Sequence, residues 1–235
     1  MITTGKKTQP FIALLYGVPK IGKTHLACLS DKPLVIDVEN GSGHFDVARI
    51  DRILNFDLLT EAMREAVISK DFNTIIFDSV TRLERIFTAD LLEKNPKWVN
   101  LETPGYGKGQ LALAQMWKDF LEKLEMFRFR NKNVILIGHQ RTKAVNDPIL
   151  DPYDRIEIDV VKNAHSEITA SVDAVLYYRW KTIVKKGENG KKNIAVSRNI
   201  RELYTQERAG FIGGNRFNLD VCIENPDHTL WEMMK

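Results

Sequence analysis

The chain has 235 residues, of which 43% are hydrophobic and 28% are charged, so it is long enough for one well-buried α/β domain. It contains no linker, internal repeat or low-complexity segment, which excludes repeat arrays and compositionally biased proteins. Its two cysteines, Cys28 and Cys222, form neither a metal-binding spacing nor a disulfide framework, which favours a reducing, cytoplasmic compartment. A net charge of +3 indicates no class of partner by itself, because nucleic-acid binding depends on where the charge lies.

The first predicted element is a buried strand at 11–18, FIALLYGV, which follows a flexible tail at 1–10. Two lysines precede this apolar run, as in an export signal. The run is too short to span a membrane, and it leads directly into a glycine-rich motif where a cleavage site would be expected. We therefore expect no export signal.

The strand runs into GVPKIGKT, which fits the phosphate-loop pattern G-x-x-x-x-G-K-[ST], and 24–30 can continue as a helix. Strand, loop and helix thus come in the order that the motif requires, with backbone N–H groups pointing at an anion. Lys23 is expected to reach the outer phosphates, and the Thr24 hydroxyl is expected to reach Mg²⁺. The predicted nucleotide-binding positions are Gly17, Pro19, Lys20, Ile21, Gly22, Lys23, Thr24 and His25, together with Asp78 further along the chain.

Three further apolar segments, at 33–40, 73–81 and 133–140, each read as a strand that ends in polar side chains. The polar residues are Asp37 and Glu39, then Asp78, then His139 and Gln140. Ligands of open α/β sheets gather at the carboxyl ends of strands, so we expect these residues to converge on the γ-phosphate. A single aspartate at a strand end is more often a helix cap or turn former, but several strands with this chemistry favour the site.

The roles within this set differ. Asp78 is the candidate magnesium ligand, acting through water or Thr24. The residue after it is Ser79, so the carboxylate that many helicases and AAA-type ATPases use as base is missing at that position. Glu39 is the candidate base, with Asp37 behind it, and period two predicts that both carboxylates lie on the same side of their strand.

The segments VIDVENGSG, IIFDSVT and VILIGHQR resemble the catalytic-glutamate, metal-binding and phosphate-sensing strands of RecA-like recombinases. The chain is similar to small phage RecA-like NTPases, which include single-strand annealing proteins of the Sak type. The features that carry this likeness are its length, Tyr106 in ETPGYGKG and NRF at 215–217. The resemblance covers about 11–223 and implies ATP and Mg²⁺ as ligands. It implies that Lys23 binds phosphate and Thr24 binds Mg²⁺ in the phosphate loop. It also implies that Glu39 is the general base, that Asp78 is a metal ligand and that His139 or Gln140 senses the γ-phosphate. RecA itself has Asn-Gln at that strand end, so the register of the sensor stays open.

The fold expected on this basis is a single RecA-like P-loop NTPase domain, with a mainly parallel twisted sheet, helices on both faces and an antiparallel C-terminal hairpin. Its core is placed at 11–200 and a C-terminal extension at 201–235. Helices are predicted at 58–70 and at 107–128. The second carries an apolar stripe that we assign to the core: Leu113, Trp117, Phe120, Leu121, Leu124 and Phe127. The hairpin is predicted over 172–198, with GENG as its turn.

Two basic stretches, at 128–143 and 181–201, can track a phosphate backbone, with Tyr177, Tyr178 and Trp180 nearby to stack bases. A lysine-rich hairpin tip is also common as a solvated edge that resists aggregation. The resemblance places a DNA-entering loop at 141–165, which we expect to lack clear structure. The candidate DNA-binding residues are Arg141, Lys143, Lys185, Lys186, Lys191 and Lys192.

A γ-phosphate transition state needs positive charge beyond Lys23 and Mg²⁺, yet the possible lid at 94–109 contains no arginine. RecA-like ATPases place the nucleotide at a subunit boundary. Arg198 and Arg201 are therefore candidate arginine fingers, which one subunit would contribute to the nucleotide site of its neighbour. Each could instead pair with surface carboxylates. The resulting expectation is a homo-oligomer, either a ring or a filament, with single-stranded DNA and a single-strand DNA-binding protein as partners and no membrane. A small-molecule P-loop kinase and a non-catalytic nucleotide switch are the alternatives.

Overall fold

The computed structural model describes residues 4–5, 8–146, 151–185 and 194–235, with the backbone alone at 184–185 and 194–197. Six α-helices are present in these residues: α1 (Lys23–Cys28), α2 (Phe56–Ile68), α3 (Val80–Lys94), α4 (Lys108–Phe129), α5 (Lys162–Ser171) and α6 (Thr229–Met233). The strands of the same residues are β1 (Ile12–Gly17), β2 (Pro33–Asp37), β3 (Ala48–Ile50), β4 (Thr74–Asp78), β5 (Asn133–Val145), β6 (Tyr153–Ile158), β7 (Ala174–Lys185), β8 (Ile194–Tyr204), β9 (Gly214–Asn215) and β10 (Cys222–Glu224).

The strands form one sheet in the order β10-β8-β7-β1-β5-β4-β2-β3, with β6 added to β5 and β9 added to β7. The six strands from β7 to β3 in this order are parallel, and β8, β10, β9 and β6 pair antiparallel with their neighbours. Parallel strands need crossover connections, and helices supply most of them here. This mostly parallel α/β architecture confirms the predicted fold class.

Both faces of the sheet are covered. Along β1, Ile12, Leu14 and Tyr16 pack on the side of α2, α3, α4 and α5, whereas Ala13 and Leu15 pack on the side of α1 and α6. A strand buried on both faces must be apolar at every position, and β1 reads IALLYG without interruption. The six residues of the predicted stripe on α4 are all buried, which confirms their assignment to the core.

The segment after 200 belongs to the same sheet and core. The predicted boundary between core and extension falls inside β8, and β10 pairs with β8 while β9 pairs with β7. On α6, Trp231 is buried, donates its indole N–H to the Leu26 carbonyl at 2.8 Å and stacks on Phe11 with ring centroids 5.8 Å apart. The C-terminal residues therefore pack against α1, the helix that follows the phosphate loop.

The expectation that 141–165 lacks clear structure is wrong. Strand β5 continues to Val145 and pairs antiparallel with β6, and α5 begins at Lys162; residues 147–150 lie outside the described part of the chain. The physical reason is cross-strand pairing of opposite charges, since Arg141 stands directly opposite Glu157. Such long-range pairing overrides the weak strand signal of a charged segment.

Within the described residues, no helix is long and apolar enough to cross a membrane.

Candidate functional site

The phosphate loop connects β1 to α1 as its motif requires. At two of its positions a glycine is required for steric or conformational reasons. A β-carbon on Gly17 would lie 2.1 Å from the Tyr178 carbonyl oxygen, so only glycine fits beside β7. Gly22 has φ +104°, a conformation that side chains disfavour. Between them, Ile21 is buried, while Pro19 and Lys20 are exposed at the tip; His25 is exposed on α1.

Lys23 is buried in the loop, with 5% of its surface exposed. Its ammonium donates to the Gly17 carbonyl at 3.1 Å and to the Val18 carbonyl at 2.9 Å. Burial lowers the pKa of Lys23 to about 8, against the opposing effect of the carboxylates of Asp78 and Glu39. The ammonium thus lies within the curve of the loop, where an anion would replace its carbonyl partners.

Thr24 and Asp78 meet as predicted, because the Thr24 hydroxyl donates to Asp78 Oδ2 at 2.6 Å. Burial raises the pKa of Asp78 to about 6, although the Thr24 hydrogen bond opposes the shift. A desolvated carboxylate beside a hydroxyl is a donor pair that suits a hard divalent cation, which would relieve the cost of the buried charge. Thr24 and Asp78 are therefore the residues that would hold Mg²⁺ here.

Glu39 lies at the same edge of the sheet and is held from two sides. Its Oε1 lies 2.9 Å from His139 Nε2, and the Ser79 hydroxyl donates to the same oxygen. Burial raises the pKa of Glu39, but the hydrogen bonds from His139 and Ser79 outweigh it and the net pKa is lowered. The backbone is fixed as well, since the Glu39 N–H donates to the Asp78 carbonyl at 3.1 Å.

Asp37 and Glu39 contact different groups. The expectation that they share one side of a strand fails, because β2 ends at Asp37 and the alternation stops there. Asp37 is buried and accepts hydrogen bonds from the Gly41 N–H, the Ser42 N–H and the Ser42 hydroxyl. It ties down the turn after β2, whereas Glu39 reaches the site.

Of the two predicted sensor residues, His139 is the one that enters the site. It stands beside Gly17 in the β1–β5 register, contacts Glu39 and donates its backbone N–H to the Thr81 hydroxyl at 3.2 Å. Gln140 is one residue further on, opposite Ile158 in the β5–β6 pairing. The structure thus brings Lys23, Thr24, Glu39, Asp78 and His139 together.

A family model described as an AAA domain matches residues 9–217, which include every residue of this cluster. The chain belongs to the AAA domain family. Membership places it among P-loop NTPases, which bind and hydrolyse nucleotides, typically with Mg²⁺. No protein of curated function is significantly similar to it in sequence.

Sequence reasoning missed the contact that Ser79 makes in this AAA domain. The sequence pattern identifies Ser79 only as a position without a carboxylate, yet its hydroxyl donates to Glu39 and also caps α3 by accepting from the Arg82 N–H at 3.4 Å. The available signal was a serine placed directly before a helical pattern, which is a strong N-cap preference. The capping position fixes where the hydroxyl points.

Two of the candidate DNA-binding residues, Arg141 and Lys143, lie on β5 beyond His139. Glu157, buried at 4% exposure, lies 2.9 Å from Lys143 and 3.9 Å from Arg141, so these two cations of β5 share one carboxylate. Lys185 is described by its backbone alone. Lys186, Lys191 and Lys192 lie outside the described residues.

The two candidate fingers lie on β8 and are placed differently. Arg198 is exposed. Arg201 is half-buried, and its guanidinium lies against Gly22 of the same chain. A role for Arg198 in a neighbouring subunit stays a prediction, while Arg201 is positioned at its own phosphate loop.

Proposed function

We propose that this AAA domain is a DNA-dependent ATPase that hydrolyses ATP with Glu39 as general base and acts on single-stranded DNA. The observation that carries the ATPase proposal is the position of Glu39. Its carboxylate is held 2.9 Å from His139 Nε2, at the sheet edge where the phosphate loop leads to Lys23 and β4 ends at Asp78. A base that is ionised and oriented beside the phosphate loop is what in-line attack of water requires.

The chemistry follows from the cluster. The loop N–H groups and Lys23 bind the phosphates. Thr24 and Asp78 would hold Mg²⁺, which would neutralise charge on the phosphates. Glu39 accepts a proton from the attacking water as the water oxygen bonds to the γ-phosphorus and the bond to the bridging oxygen breaks. The lowered pKa of Glu39 keeps the carboxylate unprotonated, and His139 and Ser79 hold its orientation.

Water has a route to this carboxylate. A cavity of about 330 Å³ opens beside Glu39 and is bounded by Val38, Asn40, Thr81, Arg82, Arg85 and His139. The two arginines on α3 give one wall of this cavity a positive charge. That charge would attract phosphate to the cavity.

The DNA part of the proposal rests on the likeness to small phage RecA-like NTPases and on the course of β5. This strand carries His139 in the site and then Arg141 and Lys143, two and four residues further along the same face. A displacement of His139 by a bound γ-phosphate would therefore be passed along one continuous strand to two cations. We infer that these cations contact the DNA backbone, together with Lys185, Lys186, Lys191 and Lys192 of the C-terminal hairpin.

The assembly follows the same likeness. We propose a homo-oligomeric ring or filament in the cytoplasm, of a host cell if the source is a phage. In this assembly Arg198 of one subunit would approach the nucleotide of the next. A head-to-tail contact of this kind is heterologous, so it builds rings or filaments instead of a two-fold dimer. A single-strand DNA-binding protein is the further partner that this role would bring.

ATP turnover with and without single-stranded DNA tests the proposal. We expect turnover that rises when DNA is added, and DNA affinity that falls steeply with salt. Replacing Arg141 and Lys143 by alanine should lower the slope of log affinity against log salt by about 0.7 for each lost contact. Alanine at Lys97 and Lys118, two exposed lysines, is the charge-matched control and should leave that slope unchanged.

The other outcomes separate the alternatives. ATP turnover that does not change when DNA is added, with no DNA binding at low salt, would contradict the DNA part of the proposal. The ATPase part would still hold. Tight ATP binding without turnover would indicate a nucleotide switch. Transfer of phosphate to a small molecule in place of water would indicate a kinase.

A further inference from the structure

Arg201 lies over an aromatic ring at the edge of the phosphate loop. It stands opposite Trp180 in the β7–β8 pairing, and its guanidinium carbon is 5.0 Å from the centroid of the Trp180 ring. A guanidinium over an indole face is held by the ring quadrupole and by stacking, which fixes the plane of its donors. The orientation of Arg201 is therefore set by β7 before any ligand binds.

The guanidinium also packs on the loop itself. Its Cζ, Nη1 and Nη2 atoms lie 3.5, 3.6 and 3.7 Å from the point that a β-carbon on Gly22 would occupy. Gly22 directly precedes Lys23, so this contact is made with the part of the loop that would surround a bound phosphate. Both partners belong to the same chain.

The charge of Arg201 has no carboxylate partner among the described residues. Its Nε atom is buried there without a hydrogen-bond acceptor, and none of the ion pairs of the described chain includes it. The neighbouring Glu202 instead faces Lys181 at 3.8 Å. The neutral phenol of Tyr178 is a hydrogen-bond partner of the Arg201 side chain. A cation that is partly desolvated and lacks a carboxylate partner gains more from an incoming anion than a solvated surface arginine does.

The C-terminal segment fixes the backbone of Arg201. The Arg201 N–H donates to Asn225 Oδ1 at 3.0 Å, and the Arg201 carbonyl accepts from the Asn225 N–H at 2.7 Å. Two hydrogen bonds with one residue prevent β8 from sliding at this position. The side chain is thus built into a rigid support, as a preorganised phosphate-binding group requires.

We propose that Arg201 binds the phosphates of the nucleotide held by its own phosphate loop, and so supplies in the same chain a positive charge beyond Lys23 and Mg²⁺. This inference rests on the proposed nucleotide binding at the loop. It replaces, for Arg201, the expectation of a role in a neighbouring subunit. An arginine presents two parallel donors to a phosphate, and Trp180 holds those donors beside Gly22.

The test measures ATP affinity of the full chain by calorimetry for three variants. Arg201→Gln keeps the stem and removes the charge, and should weaken ATP binding about tenfold or more. It should also reduce the dependence of ATP affinity on salt, which a purely structural role would not change. Arg201→Lys should recover part of the affinity, because it restores the charge without the two parallel N–H donors of the guanidinium. Arg208→Gln, an exposed arginine on the same C-terminal segment, should behave as wild type.

Thermal unfolding without nucleotide separates binding from folding. Arg201→Gln should unfold within about 4 °C of wild type, since it loses one cation–π contact, while its stabilisation by ATP should shrink. Wild-type ATP affinity in Arg201→Gln would overturn the inference. Equal losses of affinity in Arg201→Gln and Arg201→Lys with a lowered unfolding temperature would also overturn it, because they would mark Arg201 as a structural contact.

A mixing experiment decides between the same chain and a neighbour. Lys23→Ala subunits mixed with Arg201→Gln subunits should regain no turnover, because no chain then holds both residues. Recovery of turnover would overturn the assignment to the same chain. Failure of the wild type to bind ATP would contradict the proposed function itself. Loss of binding in Lys23→Ala alone, with Arg201→Gln unaffected, would contradict only this inference.

Discussion

Lys23 carries its charge in a buried position, and the cost of that charge should appear in the stability of the ligand-free chain. Burial lowers its pKa from 10.5 to about 8, so the folded state releases the proton before the unfolded state does. Below pH 8 the lysine is charged in both states and the cost is present in full. Between pH 8 and 10.5 the cost disappears, and stability from this group rises with pH.

Lys23→Met should therefore change how stability depends on pH. The free energy of unfolding of the variant, relative to wild type, should decrease by about 3 kcal/mol as pH rises from 8 to 10.5. Denaturant titrations at several pH values measure this difference, and Lys20→Met, at the exposed tip of the same loop, is the matched control. A difference that stays constant over this interval would contradict the buried charge.

Glu39 and Asp37 allow a second test at the residue scale. Glu39→Gln should keep ATP affinity within a few-fold and lower turnover at least about a hundredfold, because the amide keeps the shape and cannot accept a proton. Single-turnover kinetics with ATP measure the chemical step. Asp37→Asn should instead lower stability by loosening the turn at Gly41 and Ser42. If Asp37→Asn alone removed turnover from a stable chain, the two roles would be reversed.

At the scale of elements, α6 secures the helix that follows the phosphate loop. Trp231 is buried against Leu26 on α1 and stacks on Phe11, so Trp231→Ala should cost about 3–5 kcal/mol of stability. The loss of support for α1 should also weaken ATP binding. Met233, half-exposed on the same helix, provides the control, and Met233→Ala should change stability by no more than about 0.5 kcal/mol.

Chemical unfolding and calorimetry with ATP measure both effects. Stability unchanged by Trp231→Ala would show that α6 is not part of the folded core. A stability loss without any change in ATP affinity would show that α1 keeps its place without α6.

The elements also show where sequence patterns are informative. Strand β1 and the loop were predictable because an apolar run and a fixed spacing are local signals, and the stripe on α4 followed from helical periodicity. The β5–β6 hairpin was missed because its stability comes from pairs such as Arg141 with Glu157. Helix α6 has only five residues, and contacts about 200 positions away in sequence hold it in place.

The site divides in the same way. Lys23, Thr24 and Asp78 were predictable, since strand ends carry them to one edge of the sheet. The separation of Asp37 from Glu39 was not, because it depends on where β2 ends. The approach of Arg201 to Gly22 depends on the β7–β8 register and on Asn225, which no local pattern encodes.

At the scale of the whole molecule, the proposed assembly predicts different results for the two arginines of β8. Lys23→Ala subunits mixed with Arg198→Ala subunits should regain part of the turnover, because a shared site can combine the intact halves of two neighbours. Light scattering with ATP and single-stranded DNA should show species larger than a dimer. Full turnover by strict monomers under those conditions would contradict the assembly.

The most direct test of the whole account is Mg²⁺-dependent ATP hydrolysis by the full chain and by Lys23→Ala. We expect the wild type to hydrolyse ATP and Lys23→Ala to lose tight binding and turnover, since the lysine stabilises charge at the phosphates. Lys23→Ala should stay folded, because it removes a buried charge that costs stability below pH 8. Equal turnover in wild type and Lys23→Ala would contradict the assignment of this loop as the nucleotide site.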